Sequence, residues 1–131
     1  MATQHLSLNG LKLLLVDTNS DFVDLIKIIF QEFSISVEVA TSVSEALSIL
    51  ANGQVDCLIS EIAFPREDGY SLMRKLRSFE KGQNLKPIPA IALTSFILPK
   101  GCDVALKAGF QIYATKPINL DDLLDYIAYV V

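Results

Sequence analysis

The sequence lacks several features that mark other classes of protein. No apolar stretch approaches the roughly 20 residues needed to span a bilayer. Residues 1–9 show no basic segment followed by an apolar run, so we expect no signal peptide. Basic runs are missing too, and the net charge of −4 argues against nucleic-acid binding by this domain. We therefore expect a cytoplasmic domain that binds neither membrane nor nucleic acid.

Cysteine is scarce, and its placement excludes a metal-ligand pattern. Cys57 and Cys102 lie far apart and show no metal-ligand spacing. We expect two reduced, buried, small hydrophobic side chains rather than a disulfide.

Internal repeats, low-complexity tracts and linkers are also absent from the sequence. The 131 residues suit one domain and leave no room for a separate output domain. With 51% hydrophobic and 20% charged residues, a chain of this length can fill a core. We predict a single domain over residues 1–131.

Apolar runs of strand length alternate with segments of helical periodicity. Strands are predicted at residues 11–16, 36–40, 55–60, 88–93 and 110–114. Helices are predicted at about residues 21–33, 42–52, 68–79 and 99–108 and after residue 119, with caps at Ser42, Asp68 and Asn119. The first helix is expected to bury Phe22, Leu25, Ile26, Ile29 and Phe33, and residues 80–86 to form a surface loop. This order predicts a doubly wound α/β sandwich with a parallel sheet.

Four polar side chains stand at the ends of predicted strands: Asp17, Glu61, Thr94 and Lys116. In a doubly wound sheet, functional groups gather beyond the carboxyl ends of the strands. Each residue also has a purely structural explanation: Asp17 as a helix cap, Thr94 as a partner of a loop amide, and Lys116 as a solvated charge. Their occurrence together predicts one crevice with two carboxylates, a hydroxyl and an ammonium.

Several motifs extend this pattern over essentially the whole chain. They are the LLLVD run at 13–17, Glu61 followed by Pro65, the pair Asp68-Gly69, ALTS at 92–95 and Lys116-Pro117. In this order they resemble the response-regulator receiver family of two-component signalling, and residues 67–70, 88–94 and 108–111 are similar to receivers of hybrid histidine kinases. The resemblance implies a flavodoxin-like (βα)5 fold with strand order 2-1-3-4-5. It also implies a histidine kinase or another signalling protein as partner, with a second copy of the chain as a further candidate.

The resemblance implies a role for each residue of the crevice. In the family, an aspartate at the position of Glu61 accepts a phosphoryl group, and acidic residues at positions 17 and 18 help to hold Mg²⁺. The hydroxyl at position 94 and the lysine at position 116 bind the phosphoryl oxygens.

The sequence departs from the family pattern at two of these positions. Glu61 is longer than aspartate by about 1.5 Å, one carbon–carbon bond, and a misplacement of about 1 Å can lower a rate on the order of a hundredfold. Thr18 replaces an acidic metal ligand, which should weaken Mg²⁺ binding. Asp17, Glu61 and the carbonyl of Ala63 remain as candidate ligands.

These departures favour a phosphorylation-deficient receiver that acts through protein contacts and is not an enzyme. The alternative is a receiver still regulated by phosphotransfer from a histidine kinase with Mg²⁺. A flavodoxin-like cofactor binder is disfavoured because the loop at 17–21 is acidic and lacks glycine. In the leading interpretation Glu61 pairs with Lys116 beside Thr94, and it either imitates the phosphorylated state or only neutralises charge.

Two further features bear on the output surface. Tyr113 is either an aromatic switch that reports the state of Thr94 or an ordinary edge-strand aromatic. The loop residues Phe96, Ile97 and Leu98 are either buried against the fourth helix or exposed for docking. We predict an interface formed by the fourth helix, the fifth strand and the fifth helix.

Overall fold

Every predicted strand and helix is present in the computed structural model, which describes residues 8–64, 66–97 and 99–131. Pro65 and Leu98, singled out from the sequence, lie outside the described residues. The elements are β1 (Lys12–Val16), α1 (Ser20–Gln31), β2 (Ser36–Ala40), α2 (Val43–Ala51), β3 (Cys57–Ser60), α3 (Gly69–Gly82), β4 (Ala90–Thr94), α4 (Gly101–Ala108), β5 (Ile112–Thr115) and α5 (Leu120–Val130). The predicted order is confirmed, and only the ends of elements shift.

The five strands form one parallel sheet in the order β2-β1-β3-β4-β5, which confirms the predicted flavodoxin-like class. β1 lies near the middle, where Leu15 pairs with Val39 of β2 and with Ile59 of β3. The direction of winding reverses between β1 and β3. A crevice therefore opens beyond the carboxyl ends of these strands.

Helices cover both faces of the sheet. α2, α3 and α4 pack on one face and α1 and α5 on the other, so β1, β3 and β4 read as continuous apolar runs. The predicted inward stripe of α1 is partly wrong. Leu25 is 50% exposed, whereas Val23 and Phe30 join Ile26 in the core. None of the helices within the described ranges is long and apolar enough to cross a membrane.

Side-chain caps fix the start of four helices. The predicted caps Ser42 and Asp68 accept hydrogen bonds from backbone amides three residues on, and Asn119 accepts from the amide of Asp121. Asn19 caps α1 by accepting from the amide of Phe22 at 3.0 Å. Such a cap contributes about 1 kcal/mol. α4 differs, because it has no side-chain cap.

The prediction of a surface loop at residues 80–86 is wrong for Glu80. It lies in the last turn of α3 and is only 3% exposed. Its carboxylate accepts from Arg77 Nη1 at 2.8 Å and from the amide of Ile88 at 2.7 Å, while Arg77 Nε and Nη2 donate to the carbonyl of Gly109. A buried carboxylate is tolerated when it has such partners. The cluster ties α3 to the start of β4 and to the end of α4.

The two cysteines are free, as predicted, but only one is buried. Burial raises the pKa of the Cys57 thiol to about 12, with a further contribution from Asp56. Cys102 is exposed because the first turn of α4 presents it to solvent, so the expectation of burial is wrong there.

We predict that a thiol reagent at neutral pH modifies one cysteine per native chain. The thiolate is the reactive form, and Cys57 is both buried and held protonated. Cys102→Ser should abolish the native reaction, and Cys57 should react only after unfolding. Fast labelling of two thiols in the native protein would contradict the buried position of Cys57.

We predict that Gly69→Ala destabilises the domain by about 1–3 kcal/mol, the usual cost of overpacking. An alanine Cβ would lie 2.6 Å from the carbonyl oxygen of Glu61 and 2.9 Å from Cα of Ile62, both backbone atoms that cannot swing away. Urea unfolding measures the change in free energy.

Gly82→Ala in the same helix is the matched control. A Cβ at this position meets nothing within 4 Å, so the substitution should be neutral or stabilising by up to about 1 kcal/mol. Equal effects at the two glycines would show that helix propensity, and not the close approach to Glu61, sets the result.

Candidate functional site

The structure brings four predicted side chains together beyond the carboxyl ends of β1, β3, β4 and β5. Lys116 Nζ lies 2.7 Å from Asp17 Oδ2 and 3.3 Å from Glu61 Oε1. The Thr94 hydroxyl lies beside the Glu61 carboxylate, close enough to lower its pKa. The predicted ion pair between Glu61 and Lys116 is therefore present, but the shorter contact of Lys116 is to Asp17.

Asp17 is 2% exposed, and both of its oxygens are engaged. Oδ1 accepts from the amide of Asn19 at 2.9 Å, and Oδ2 accepts from Lys116. Asp17 therefore shapes the loop that leads into α1, while Asn19 is the helix cap itself. The structural explanation of Asp17 as the helix cap is therefore wrong, and the residue belongs to the site.

Glu61 is 6% exposed, and its carboxylate turns back toward the protein. Oε2 accepts from the amides of Ile62 at 2.7 Å and Ala63 at 3.2 Å, and Oε1 faces the amide of Ser95 at 3.4 Å.

These contacts decide the direction in which the pKa of Glu61 moves. Burial is the largest single influence and raises the pKa. The Thr94 hydroxyl, the two backbone amides and the charge of Lys116 together outweigh burial, so the pKa of Glu61 lies below its usual value of 4.5. The carboxylate is held in its ionised form.

Lys116 is enclosed on a third side by an aromatic ring. Its ammonium lies 4.3 Å from the centroid of Phe22, and only 15% of its side chain is exposed. Its backbone amide donates to the carbonyl of Thr94 at 2.8 Å. Sequence reasoning missed the contact with Phe22, because most of the chain separates these two residues.

Thr18 stands apart from this cluster. It is exposed and lines an open cavity of about 470 Å³ with Thr41, Phe64 and Arg66 among others. Within the described residues, no group of three or more His, Cys, Asp or Glu side chains is placed to hold a metal ion.

Thr94 also connects the site to the following loop. Its Oγ1 accepts from the amide of Phe96 at 3.0 Å. Phe96 is 53% and Ile97 69% exposed, so burial of these two residues against α4 is wrong. Tyr113 is half-buried and packs beside the core that contains α3 and α4.

Comparison with known proteins places this geometry in a family. Residues 13–128 match the family of response regulator receiver domains. The chain is 35% identical over 118 residues to an uncharacterized 14.6 kDa protein in the sodA1 3′ region of Leptolyngbya boryana, covering 90% of this chain and 88% of that one. It is 33% identical over 126 residues to hybrid signal transduction histidine kinase D of Dictyostelium discoideum, covering 92% of this chain but only 8% of the kinase.

A solved structure supports the fold independently. The receiver domain of Ssk1 from Saccharomyces cerevisiae, crystallised with the histidine phosphotransfer protein Ypd1, superimposes with a TM-score of 0.86. At 24% identity, over 94% of this chain and 90% of that one, this likeness concerns the fold alone. The family match over residues 13–128 and the parallel sheet of order β2-β1-β3-β4-β5 agree: the chain belongs to the response regulator receiver domain family of two-component signalling.

Proposed function

We propose that this receiver domain signals through protein contacts without being phosphorylated, as an interaction module and not as an enzyme. One observation carries the proposal: the ammonium of Lys116 lies between Asp17 at 2.7 Å and Glu61 at 3.3 Å. An internal cation thus pairs with both carboxylates that a phosphorylated receiver would use for a metal ion and a phosphoryl group, and offsets part of their charge.

The contacts of Glu61 make it a poor phosphoryl acceptor. Attack on phosphorus needs an accessible oxygen lone pair, whereas this carboxylate is 6% exposed and receives hydrogen bonds at both oxygens. Its lowered pKa marks a weakly basic oxygen. The extra methylene also displaces the carboxylate from the place of an aspartate.

The candidate metal ligands Asp17, Glu61 and Ala63 are likewise a poor match for Mg²⁺, which requires near-octahedral oxygen ligands. Asp17 and Glu61 are both paired with Lys116, and the neutral hydroxyl of Thr18 stands exposed outside the cluster. The third candidate ligand, the backbone carbonyl of Ala63, is uncharged and adds no carboxylate to the set. We therefore propose that any Mg²⁺ binding by Asp17, Glu61 and Ala63 is weak, and that the ammonium provides the positive charge.

The position of Glu61 Oε1 supports imitation of a phosphorylated state. This oxygen faces Lys116, and the Thr94 hydroxyl lies beside the same carboxylate. These are the two residues implied to bind phosphoryl oxygens in the family. The amide of Phe96 in turn donates to Thr94. A permanent carboxylate in this place would hold Thr94 and its loop in one conformation.

The exposed apolar residues near this loop provide a candidate docking surface. We define the α4–β5–α5 surface by Phe96, Ile97, Val104, Leu106, Tyr129 and Val131, which are between 43% and 84% exposed. Apolar side chains exposed over neighbouring elements suit a protein interface. The proposed partner is a signalling protein such as a histidine kinase or a histidine phosphotransfer protein.

We predict that the wild-type chain gains no phosphoryl group from a small acyl phosphate with Mg²⁺. Thr18→Asp combined with Glu61→Asp should restore a third carboxylate and the shorter acceptor, so intact-mass spectrometry should show one added phosphoryl group. Each single variant should react at least about tenfold more slowly than the double variant, since each repairs one lesion.

Asp17→Asn in the double variant is the matched control, because it removes a metal ligand and should abolish the gain. Phosphorylation of the wild type would overturn the proposal in favour of regulation by phosphotransfer. Failure of the folded double variant to react would show that Thr18 and Glu61 are not the residues that prevent the reaction.

We predict that acid weakens the wild type more than Glu61→Gln. A group whose folded-state pKa is lowered contributes stability above its unfolded pKa, here near 4.5, and loses it as pH falls through the folded value. Urea unfolding between about pH 6 and about pH 3 should therefore show a steeper loss of free energy in the wild type. Parallel profiles for the two proteins would show that Glu61 is not stabilised in its ionised form.

A further inference from the structure

We propose that α1 of one copy of this chain docks on α3 of a second copy, so that the receivers associate head to tail through two different faces. The inference rests on the charge and exposure of these two helices. It does not depend on whether Glu61 is phosphorylated.

α3 presents cations that have no partner in their own chain. The helix carries four basic residues, and two of them, Lys75 and Arg77, are engaged in ion pairs with glutamates. The other two, Arg74 and Lys81, are exposed, and neither forms an ion pair with any residue that the structure describes. They lie seven residues apart, which places them on one side of the helix about 10 Å apart along its axis.

Apolar side chains lie beside these cations. Phe79 of α3 is 38% exposed, and Leu85, just after the helix, is 51% exposed. Both line a cavity of about 210 Å³ together with Leu50 and Ile88 among others. The cavity offers a place for an apolar side chain of a partner. We define the basic α3 face by Arg74, Phe79, Lys81 and Leu85.

α1 presents the complementary combination of anions and apolar groups. Leu25 is 50% and Ile28 64% exposed, although the helical stripe predicted burial for Leu25. Asp21, Asp24 and Glu32 are exposed around them, and within residues 8–64, 66–97 and 99–131 none of these carboxylates is in an ion pair. We define the acidic α1 face by Asp21, Asp24, Leu25, Ile28 and Glu32.

The position of the two faces requires two copies of the chain. α1 packs on one side of the sheet and α3 on the other, so a chain cannot bring its own two faces together. Because the faces differ, each copy offers both, and the contact generates open chains of copies. One pair of helices buries less than a standard protein interface, so the association should be weak.

The other acidic helix is a poorer match for the basic α3 face. Asp121 and Asp122 lie in the first turn of α5, whereas its exposed apolar residues Tyr129 and Val131 lie at the opposite end. In α1, by contrast, anions and apolar side chains alternate along one side. The contact also uses none of the residues of the α4–β5–α5 surface, so an associated copy keeps them for another partner.

Sedimentation velocity and NMR of the full chain test the contact. The apparent mass of the wild type should rise between about 0.02 mM and about 1 mM, the range in which a small interface associates. The backbone amide signals that shift over this range should belong to α1 and α3. A monomer at the highest concentration, or shifts confined to α4, β5 and α5, would overturn the proposal.

Charge reversal on α3 separates the docking face from net charge. Arg74→Glu with Lys81→Glu should lower the association constant at least about tenfold, because like charges then face each other. Lys12→Glu with Lys107→Glu is the matched control: both lysines are exposed and lie outside the two faces, and the change in net charge is the same. The control should stay within about threefold of the wild type, since separated surface charges are screened by salt. An equal loss in the control would show that net charge alone governs association.

The reciprocal reversal on α1 completes the test. Asp24→Lys with Glu32→Lys should also prevent association, whereas an equimolar mixture of the α1-reversed and α3-reversed proteins should recover it to within about threefold of the wild type. In the mixture, lysines on α1 of one protein meet glutamates on α3 of the other. All substituted residues are exposed, so each variant should keep the wild-type circular dichroism spectrum. Failure of the folded mixture to associate would show that α1 is not the partner of α3.

Discussion

The ammonium of Lys116 is the interaction on which the carboxyl edge of this sheet depends. Two carboxylates, 2% and 6% exposed, cannot share a crevice without a cation, since charged groups out of water must be paired. Lys116 supplies that charge to both, and Phe22 closes the remaining side. The loops after β1, β3 and β5 are therefore held by one side chain.

Burial strengthens this arrangement, because an ion pair in a region of low dielectric is screened little by salt. The same burial removes the carboxylates from solvent and from approaching reagents. The two carboxylates of this receiver are thus arranged around one internal cation, and the groups around Glu61 favour its ionised form by lowering its pKa.

The sequence predicted the fold well because its signals are local and repeated. The structure contains the predicted strands and helices in the predicted order. Three helices begin at the predicted caps Ser42, Asp68 and Asn119. It also predicted which side chains gather at the carboxyl edge, since strand order alone brings strand ends together.

Apart from the ion pair between Glu61 and Lys116, contacts that depend on tertiary packing were not predicted. Leu25 fits a helical stripe, yet the way α1 lies on the sheet leaves it half exposed. Glu80 looks like a loop residue and is buried, because Arg77 and the amide of Ile88 meet it from two elements. Whether Asp17 or Glu61 lies closer to the ammonium of Lys116 depends on differences of a few tenths of an ångström. The spacing of residues in a sequence does not determine such distances.

The cluster of Arg77, Glu80 and Gly109 lies at the amino ends of β4 and β5, opposite the edge that carries Glu61. These contacts tie α3 to the segments that lead into β4 and β5, away from Glu61. Substitutions such as those at positions 18 and 61 can accumulate at the carboxyl edge while the opposite edge preserves the scaffold. The scaffold of this receiver therefore has contacts that do not depend on the side chains of its carboxyl edge.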